Sequence, residues 1–320
     1  MGRKCLQAVF ASLATIGIAA PMACAQEFPV KPIRIIASPP GGANNFMARV
    51  IGQGLNDSVG WNVIVDNRPS GGFIQGELLA KAAPDGYTLL IAAGSFTIGP
   101  LFEKAPYDVV KDFAPVALIA TAPSVLSVHP SMPVKSVKDL VALAKKQPGQ
   151  LNFSTSGTGS ANHLPAELFK HLAGVNLVRI NYRGAGPALT ALISGEVHLM
   201  FATASSVAPH MKAGRLRGLA VTSAKPTELI PGLPTIAASG VPGYEYSSPW
   251  GLLAPAKTPP VTVNRLSQEV LRVMKQPDVR QRILDSGADL VAGTPEEYAA
   301  TIRNELAMWG KVIRDAGLAK

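Results

Sequence analysis

The sequence predicts an α/β fold divided into two lobes, and three observations support this prediction. Short β-rich runs alternate with Ala/Leu/Lys-rich stretches of helical period, a pattern typical of largely parallel sheets covered by helices. The chain has 320 residues, which is long for one core and suits two domains of roughly 100 to 200 residues each. Its composition also changes at two points where a chain would cross between lobes.

The N-terminus has the order of a secretory signal peptide. A basic start precedes an apolar stretch over 5–20, and small residues over 23–25 favour cleavage after Ala25. The apolar stretch is shorter than the roughly 20 residues that a membrane span needs. Pro21 stands where a lipobox has an aliphatic residue, so Cys24 is not read as a lipid attachment site. Cleavage would send 295 soluble residues without any cysteine to the periplasm.

Nine β-rich runs can be recognised along the chain. They lie at 33–37, 63–66, 88–92, 116–128, 151–155, 177–181, 197–202, 216–222 and 251–254. The long apolar run 115–128 and the segment 244–255 are predicted to be the two crossing strands. This places residues 26–125 and 249–320 in a discontinuous first lobe and residues 126–248 in an inserted second lobe.

Two helices carry start signals in the sequence. Ser136 with Asp139 three residues later predicts a helix that Pro148-Gly149 ends. Thr294 to Glu297 forms a fuller capping box with proline at the first helical position. The apolar positions behind it step by three or four and predict a C-terminal helix docked on the core: Tyr298, Ile302, Leu306, Trp309 and Ile313.

The charge of the chain favours small anions over nucleic acid. The formal net charge is +9, but the basic residues are spread over many elements and form no dense block with aromatic residues. A diffuse positive field attracts small anions instead.

Glycine-rich turns between strands and helices are the most informative local features. Pro39 to Asn45 follows the first strand and contains Pro40, Gly41 and Gly42, with Asn44 or Asn45 available as helix N-cap. Backbone N–H groups in such a turn, together with the helix N-terminus behind it, favour a bound anion. No Gly-Lys-Ser/Thr follows, so the turn is not a Walker loop.

Two further turns have the same position between strand and helix. Ser154 to Ser160 contains Gly157-x-Gly159, but Asn162 replaces the third glycine of a dinucleotide fingerprint and basic residues replace its acid. Tyr182 to Gly186 is the third turn. Because ligands of open α/β sheets bind beyond the carboxyl ends of strands, the three turns together favour a carboxylate-binding cleft.

Enzyme patterns are largely missing from the sequence. There is no Gly-x-Ser-x-Gly elbow, and Ser160 and His163 have no orienting acid nearby in the sequence. His163, Glu167 and His171 step by four along one helix face, a spacing that could hold a metal, but a partly buried helix face is the expected explanation. The sequence predicts no catalytic residue, no metal site and no cofactor.

With these turns in place, the sequence resembles the Bug-type substrate-binding proteins of tripartite tricarboxylate transporters. The resemblance extends over essentially the whole chain after the leader, and the order and spacing of its motifs are specific. These motifs include Lys31-Pro32-Ile33-Arg34, Pro40-Gly41-Gly42, Asn67-Arg68-Pro69, Ala83-Pro84-Asp85-Gly86-Tyr87, Gly157-x-Gly159-Ser160-x-x-His163, Tyr182-Arg183-Gly184, Leu233-Pro234-Thr235 and Trp250-Gly251-Leu252-Leu253-Ala254-Pro255.

This resemblance implies a hinge-closing receptor of the periplasmic-binding-protein type II fold. It implies a monomer that holds a small organic anion between its lobes and meets integral membrane transporter subunits transiently. A periplasmic sensor that presents the solute to a signalling partner, or an enzyme on the same fold, are the alternatives.

The predicted ligand-binding residues come from the turns and from their surroundings. Backbone N–H groups of Gly41, Gly42, Gly157 and Thr158 are expected to grip one carboxylate. Side chains are expected to complete the pocket, with Arg183 available for a second anionic group and Trp250 or Phe96 as a wall. The full predicted set is Pro40, Gly41, Gly42, Asn44, Asn45, Phe96, Ser156, Gly157, Thr158, Ser160, His163, Arg183, Ala202 and Trp250.

The sequence also departs from the family pattern. Asn45 replaces an acid of the first turn, and Ala191 and Ala202 stand where the family has aspartates. The loss of acids should relieve the repulsion of anions and weaken the recognition of an ammonium group. A carboxylate without a required amino group is therefore expected, with room for a bulkier body.

Overall fold

A computed structural model describes residues 28–40, 43–69, 73–157 and 159–315. The predicted leader lies outside the described residues, and so do Gly41, Gly42 and Thr158 of the predicted site. Within the described ranges no helix is both long and apolar enough to cross a membrane.

Ten strands and ten α-helices lie within these ranges and alternate over most of the chain. The strands are β1 Ile33–Ala37, β2 Val63–Asn67, β3 Thr88–Ala93, β4 Phe113–Val128, β5 Asn152–Thr155, β6 Val178–Asn181, β7 Leu199–Thr203, β8 Arg217–Val221, β9 Ser247–Pro255 and β10 Asp289–Gly293. The helices are α1 Ala43–Val59, α2 Ile74–Ala80, α3 Gly94–Ile98, α4 Val137–Lys146, α5 Leu164–Ala173, α6 Ala185–Ile193, α7 Ala204–Lys212, α8 Pro260–Met274, α9 Pro277–Asp285 and α10 Pro295–Asp315.

The strands form two sheet regions that share β4. In the first lobe the order is β2-β1-β3-β9-β4, with β10 also paired to β4. In the second lobe β4 continues into β7-β5-β6, with β8 also paired to β4. The α/β fold with two lobes is thus as predicted.

The sheets are less parallel than the sequence suggested. β1 pairs in parallel with β2 and β3, and β5 pairs in parallel with β6 and β7. All pairings of β4 and β9 are antiparallel. The reason is that these two long strands carry the chain from one lobe to the other in opposite directions, so that each runs against its neighbours.

The crossing between lobes occurs inside β4. Its residues from Phe113 to Pro123 pair with β9, and those from Ser124 to Val128 pair with β7 and β8. Nearly all of this strand is buried, because it pairs with other strands along both edges and α7, α8 and α10 pack against it. That explains its continuous apolar sequence.

The C-terminal helix α10 packs on both lobes. Its first turns bury Tyr298 and Ile302 in a cluster with β3 and β9, while Trp309 and Ile313 enter the main cluster of the second lobe. The predicted capping box is present, since Thr294 N donates to Glu297 Oε2 (2.7 Å) and Glu297 N donates to Thr294 Oγ1 (3.3 Å). The apolar stripe predicted for this helix is therefore confirmed as core packing.

Candidate functional site

The first part of the candidate site is a depression of about 180 Å³ beyond the carboxyl ends of β1 and β3. Asn44 of α1 and the start of α3 line one side, and aromatic side chains line the other. The lining side chains with the largest apolar surface are Phe73, Phe96 and Tyr107.

Asn44 connects three elements at this depression. Its Nδ2 donates to the carbonyl of Ile91 on β3 (3.3 Å), and its Oδ1 accepts from Trp250 Nε1 on β9 (2.8 Å). The expectation that Asn44 or Asn45 caps the helix is wrong, because α1 already begins at Ala43. Asn44 instead ties α1 to β3 and β9, while Asn45 bonds to Arg49 one turn along α1.

Asn45 is the buried polar group of the first turn. It is 5% exposed, and Arg49 Nε donates to its Oδ1 (3.2 Å). Its Nδ2 has no hydrogen-bond partner among the described residues. A buried amide donor without a partner is costly, so this group is available to a bound molecule or to water beside the predicted anion turn.

Phe96 is held as a rigid wall. Its ring stacks on Tyr107 at a centroid distance of 5.1 Å and meets Phe113 edge-on at 5.3 Å. Burial raises the pKa of Tyr107 well above its usual value, so its hydroxyl stays protonated and can donate. The depression therefore offers an aromatic surface beside the polar side chains of Asn44, Gln75 and Ser95.

The second part of the site is a depression of about 220 Å³ in the second lobe. It lies beyond the carboxyl ends of β5 and β7 and is lined by Ser156, Asn162 and the start of α6. Ala202 lies at its wall, together with Thr203 and Ser206 near the start of α7.

Asn162 organises the turn between β5 and α5. It is only 6% exposed, and its Oδ1 accepts from Ser156 N (3.1 Å) and Ser156 Oγ (2.7 Å). Ser160 Oγ lies 2.9 Å from the same oxygen and 2.7 Å from the carbonyl of Gly157. Gly157 and Gly159 have φ values of 138° and 73°, which favour glycine. The turn is thus held by a side chain rather than by a helix cap.

His163 supports this turn from behind. Its ring is fully buried, and its Nδ1 accepts from Gly159 N (3.1 Å), while its Nε2 lies 2.9 Å from Arg179 Nη1. Both ring nitrogens therefore face protein atoms. The sequence-predicted direct contact of His163 with a ligand stays untested, and the geometry favours a positioning role instead.

Glu167 completes the buried polar group behind the turn. Its Oε1 lies 3.5 Å from His163 Nε2, and Lys170 Nζ lies 2.8 Å from its Oε2. Burial alone would raise the pKa of Glu167, but hydrogen bonds from His163 and Lys170 hold that pKa below its usual value. The Glu167 carboxylate is consequently ionised, and its oxygens are bonded to His163 and Lys170.

The remaining predicted residues are placed less uniformly. Pro40 is exposed next to the undescribed Gly41, and Trp250 is partly buried against Asn44. Arg183 is exposed and lines neither depression. The structure thus brings Asn44, Phe96 and Trp250 to one lobe, and Ser156, Ser160 and Ala202 to the other.

Sequence reasoning missed several lining residues. In the sequence Asn162 stands out only as the residue that breaks a dinucleotide fingerprint, and no pattern there connects it to Ser156 or Ser160. Tyr107 and Phe73 lie far from β1 in sequence, and no local pattern connects them to it.

The chemistry of the two depressions is that of hydrogen-bond donation within an apolar surround. Among the described lining residues there is no acidic and no basic side chain. An anion here would be held by backbone N–H groups, hydroxyls and amides. These donors carry no net charge. They can therefore bind a carboxylate without a charged side chain that would also attract or repel the other groups of the ligand.

Comparison with known proteins places the chain among receptors. The family model described as tripartite tricarboxylate transporter family receptor (TctC) matches residues 47–318. Protein BugT of Bordetella pertussis is 35% identical over 311 residues, which are 95% of this chain and 95% of BugT. A UPF0065 protein from the tcbD-tcbE intergenic region of a Pseudomonas species is 38% identical over 290 residues, covering 89% of this chain and 86% of the relative.

Solved structures show the same similarity. The R. palustris protein Rpa4515 with adipate has a TM-score of 0.77 and 35% identity, with 91% of this chain and 99% of that chain covered. MatC from Rhodopseudomonas palustris with bound malate has a TM-score of 0.73 and 29% identity, with 89% and 100% covered.

Proposed function

Because the chain belongs to the tripartite tricarboxylate transporter family of receptors, we propose that it captures a small organic acid between its two lobes and hands it to an integral membrane transporter. Family members are periplasmic solute-binding receptors and not enzymes, and this protein is one of these receptors. Export by cleavage after Ala25 is part of the proposal. So is the release of the ligand to transporter subunits after the lobes open.

The observation that carries the proposal is the pair of depressions at strand ends, one in each lobe. Each offers neutral donors, and neither has an acidic lining side chain among the described residues. A dicarboxylate that bridges the lobes would meet Asn44 and Asn45 at one end and Ser156 and Gly157 at the other. Relatives of known structure contain adipate and malate, and both are dicarboxylates.

We further propose that the ligand needs no amino group. An ammonium group is usually held by a carboxylate, and Ala202 supplies only a methyl group where the sequence resemblance expects an aspartate. Ala202 is buried at the end of β7 and lines the second depression beside Ser156 and Asn162. The aromatic wall formed by Phe96 and Tyr107 suits an apolar or extended body.

Thermal unfolding of the purified protein against a panel of compounds tests the receptor assignment. The panel contains mono-, di-, tri- and aromatic carboxylates, amino acids, sugars and nucleotides. A ligand at 100 times its dissociation constant adds about 2.7 kcal/mol to the unfolding free energy, a shift of a few degrees. We expect shifts from carboxylates alone. Stabilisation by only sugars or nucleotides would contradict the proposal.

The matched pair Ala202→Asp and Ala202→Asn tests the ligand class. The new carboxylate should weaken dicarboxylate binding more than tenfold through charge repulsion in a partly desolvated pocket. The asparagine has the same shape without the charge, so calorimetric titration should show a much smaller loss. Equal losses in the two variants would mean that Ala202 affects the pocket by size only.

A further inference from the structure

A further cavity, separate from the two depressions of the candidate site, lies between α10 and the strands β4 and β9. Its volume is about 370 Å³, larger than either depression of the candidate site. It shares no lining residue with them. Leu118, Pro249 and Met308 give it apolar walls, and it lies where α10 passes from the first lobe to the second.

Glu305 is the unusual group of this cavity. Its side chain is 8% exposed, and its Oε2 has no hydrogen-bond partner among the described residues. The second carboxyl oxygen of Glu305, Oε1, lies near Gly94. A Cβ atom added to Gly94 would be 3.3 Å from this oxygen. Burial raises the pKa of Glu305 to about 8, since the carboxylate form has no compensating partner.

The charged and titratable groups around Glu305 are all acids. Tyr246 and Tyr298 are buried beside it, and burial holds their pKa values well above the usual value, so both stay neutral. Glu245 is exposed at the rim of the cavity. No lysine, arginine or histidine lines the cavity among the described residues, although the chain carries a formal net charge of +9.

We propose that this cavity binds a small organic cation, a primary ammonium group on a short apolar chain, with Glu305 Oε2 as its counter-ion. A cation of this kind would satisfy the buried carboxyl oxygen, and its chain would cover Leu118 and Met308. Thr301 and Asn304 line the same cavity and supply further oxygen acceptors. The proposal concerns a site separate from the carboxylate cleft and does not depend on the function of that cleft.

A hydrated metal ion fits the cavity less well. Hard cations such as Ca²⁺ take six to eight oxygen ligands, whereas here one carboxyl is buried and the other lies at the rim. The described residues contain no cluster of three or more histidine, cysteine, aspartate or glutamate side chains that could hold a metal. The apolar walls favour an organic body.

The binding of the cation is expected to displace a proton. With a pKa of about 8, roughly nine-tenths of Glu305 is protonated at pH 7. An aliphatic ammonium group keeps its charge up to about pH 10. Its affinity should therefore rise about ninefold from pH 6 to pH 7, about fivefold from pH 7 to pH 8 and about twofold more by pH 9, following the ionised fraction of Glu305.

Calorimetric titration of the purified protein with n-butylamine tests the proposal, with n-butanol as the uncharged control. Titrations at pH 7 in buffers of different ionisation enthalpy should show the release of roughly 0.9 proton per cation bound. Glu305→Gln should lower butylamine affinity more than tenfold and abolish the proton release, while thermal stabilisation by carboxylates stays as in the unaltered protein.

Met308→Lys provides an independent test on a partly exposed position. Met308 follows Glu305 by three residues and lines the same cavity. The ammonium group that the Met308→Lys substitution introduces can therefore occupy the proposed site from the same helix face. This variant should bind no butylamine and should gain thermal stability at pH 8. The proposal is overturned if butanol binds as well as butylamine, if neither variant changes the binding, or if butylamine shows no binding at pH 8.5.

Discussion

Asn162→Ala is expected to weaken both the stability of the second lobe and its carboxylate binding. Asn162 Oδ1 accepts two hydrogen bonds from Ser156 and lies within hydrogen-bond distance of Ser160 Oγ. Each hydrogen bond contributes about 0.5 to 1.5 kcal/mol net. The loss of the two bonds from Ser156 should therefore cost about 1 to 3 kcal/mol of unfolding free energy. Chemical denaturation measures this loss.

The effect on binding follows from the freedom that the turn gains. Without Asn162, the backbone at Ser156 and Gly157 is no longer held in one conformation and must be ordered by the ligand. We expect calorimetric titration to show a loss of about ten- to a hundredfold in carboxylate affinity, equivalent to about 1.4 to 2.8 kcal/mol.

Asn162→Asp separates the two effects. It keeps an oxygen acceptor of the same geometry, so unfolding free energy should stay within about 1 kcal/mol of the original. The new negative charge at roughly 6 Å from a bound carboxylate should cost about 2 to 3 kcal/mol of affinity at an effective dielectric constant of 20. If Asn162→Ala left both stability and affinity unchanged, or if Asn162→Asp bound carboxylates normally, the assignment of this turn would be refuted.

Three further predictions concern other parts of the molecule. Trp250→Phe removes the donor to Asn44 Oδ1 and should lower carboxylate affinity about tenfold by titration. Trp309→Phe is the control. The indole N–H of Trp309 has no hydrogen-bond partner among the described residues, so this variant should leave carboxylate affinity unchanged. Gly251→Ala would push a Cβ into the ring of buried Tyr298, and denaturation should show a loss of about 1 to 3 kcal/mol; an unchanged midpoint would contradict this packing. The pKa of Glu305 is raised in the folded state to about 8. Its contribution to stability is therefore complete below pH 4.5 and is lost as pH rises through about 8, by up to about 5 kcal/mol. Glu305→Gln should flatten this part of the pH profile, and an identical profile would exclude the raised pKa.

Local patterns in the sequence predicted most of the secondary structure. β1 and the helix after Ser136 lie where alternation and capping placed them, since these signals act within a few residues. β10 was not predicted, because Asp289–Gly293 is a short strand that pairs irregularly with β4. Its pairing depends on a distant partner rather than on its own composition.

The candidate site was only partly predictable. The glycine turns were recognised because glycine and strand-to-helix order are visible in the sequence. The burial of His163 and the brace formed by Asn162 depend on where β6 places Arg179 and how the turn folds back on itself. The passage of α10 from one lobe to the other was also hidden, since its apolar stripe has the same period over both halves.

The crystal structure of the protein with its tightest-binding carboxylate tests the central claim most directly. We expect the ligand between the lobes, with carboxylate oxygens about 3 Å from N–H groups of the turns at 39–45 and 154–160. The ligand's body should lie against Phe96. A carboxylate bound elsewhere, with both turns empty, would contradict the account.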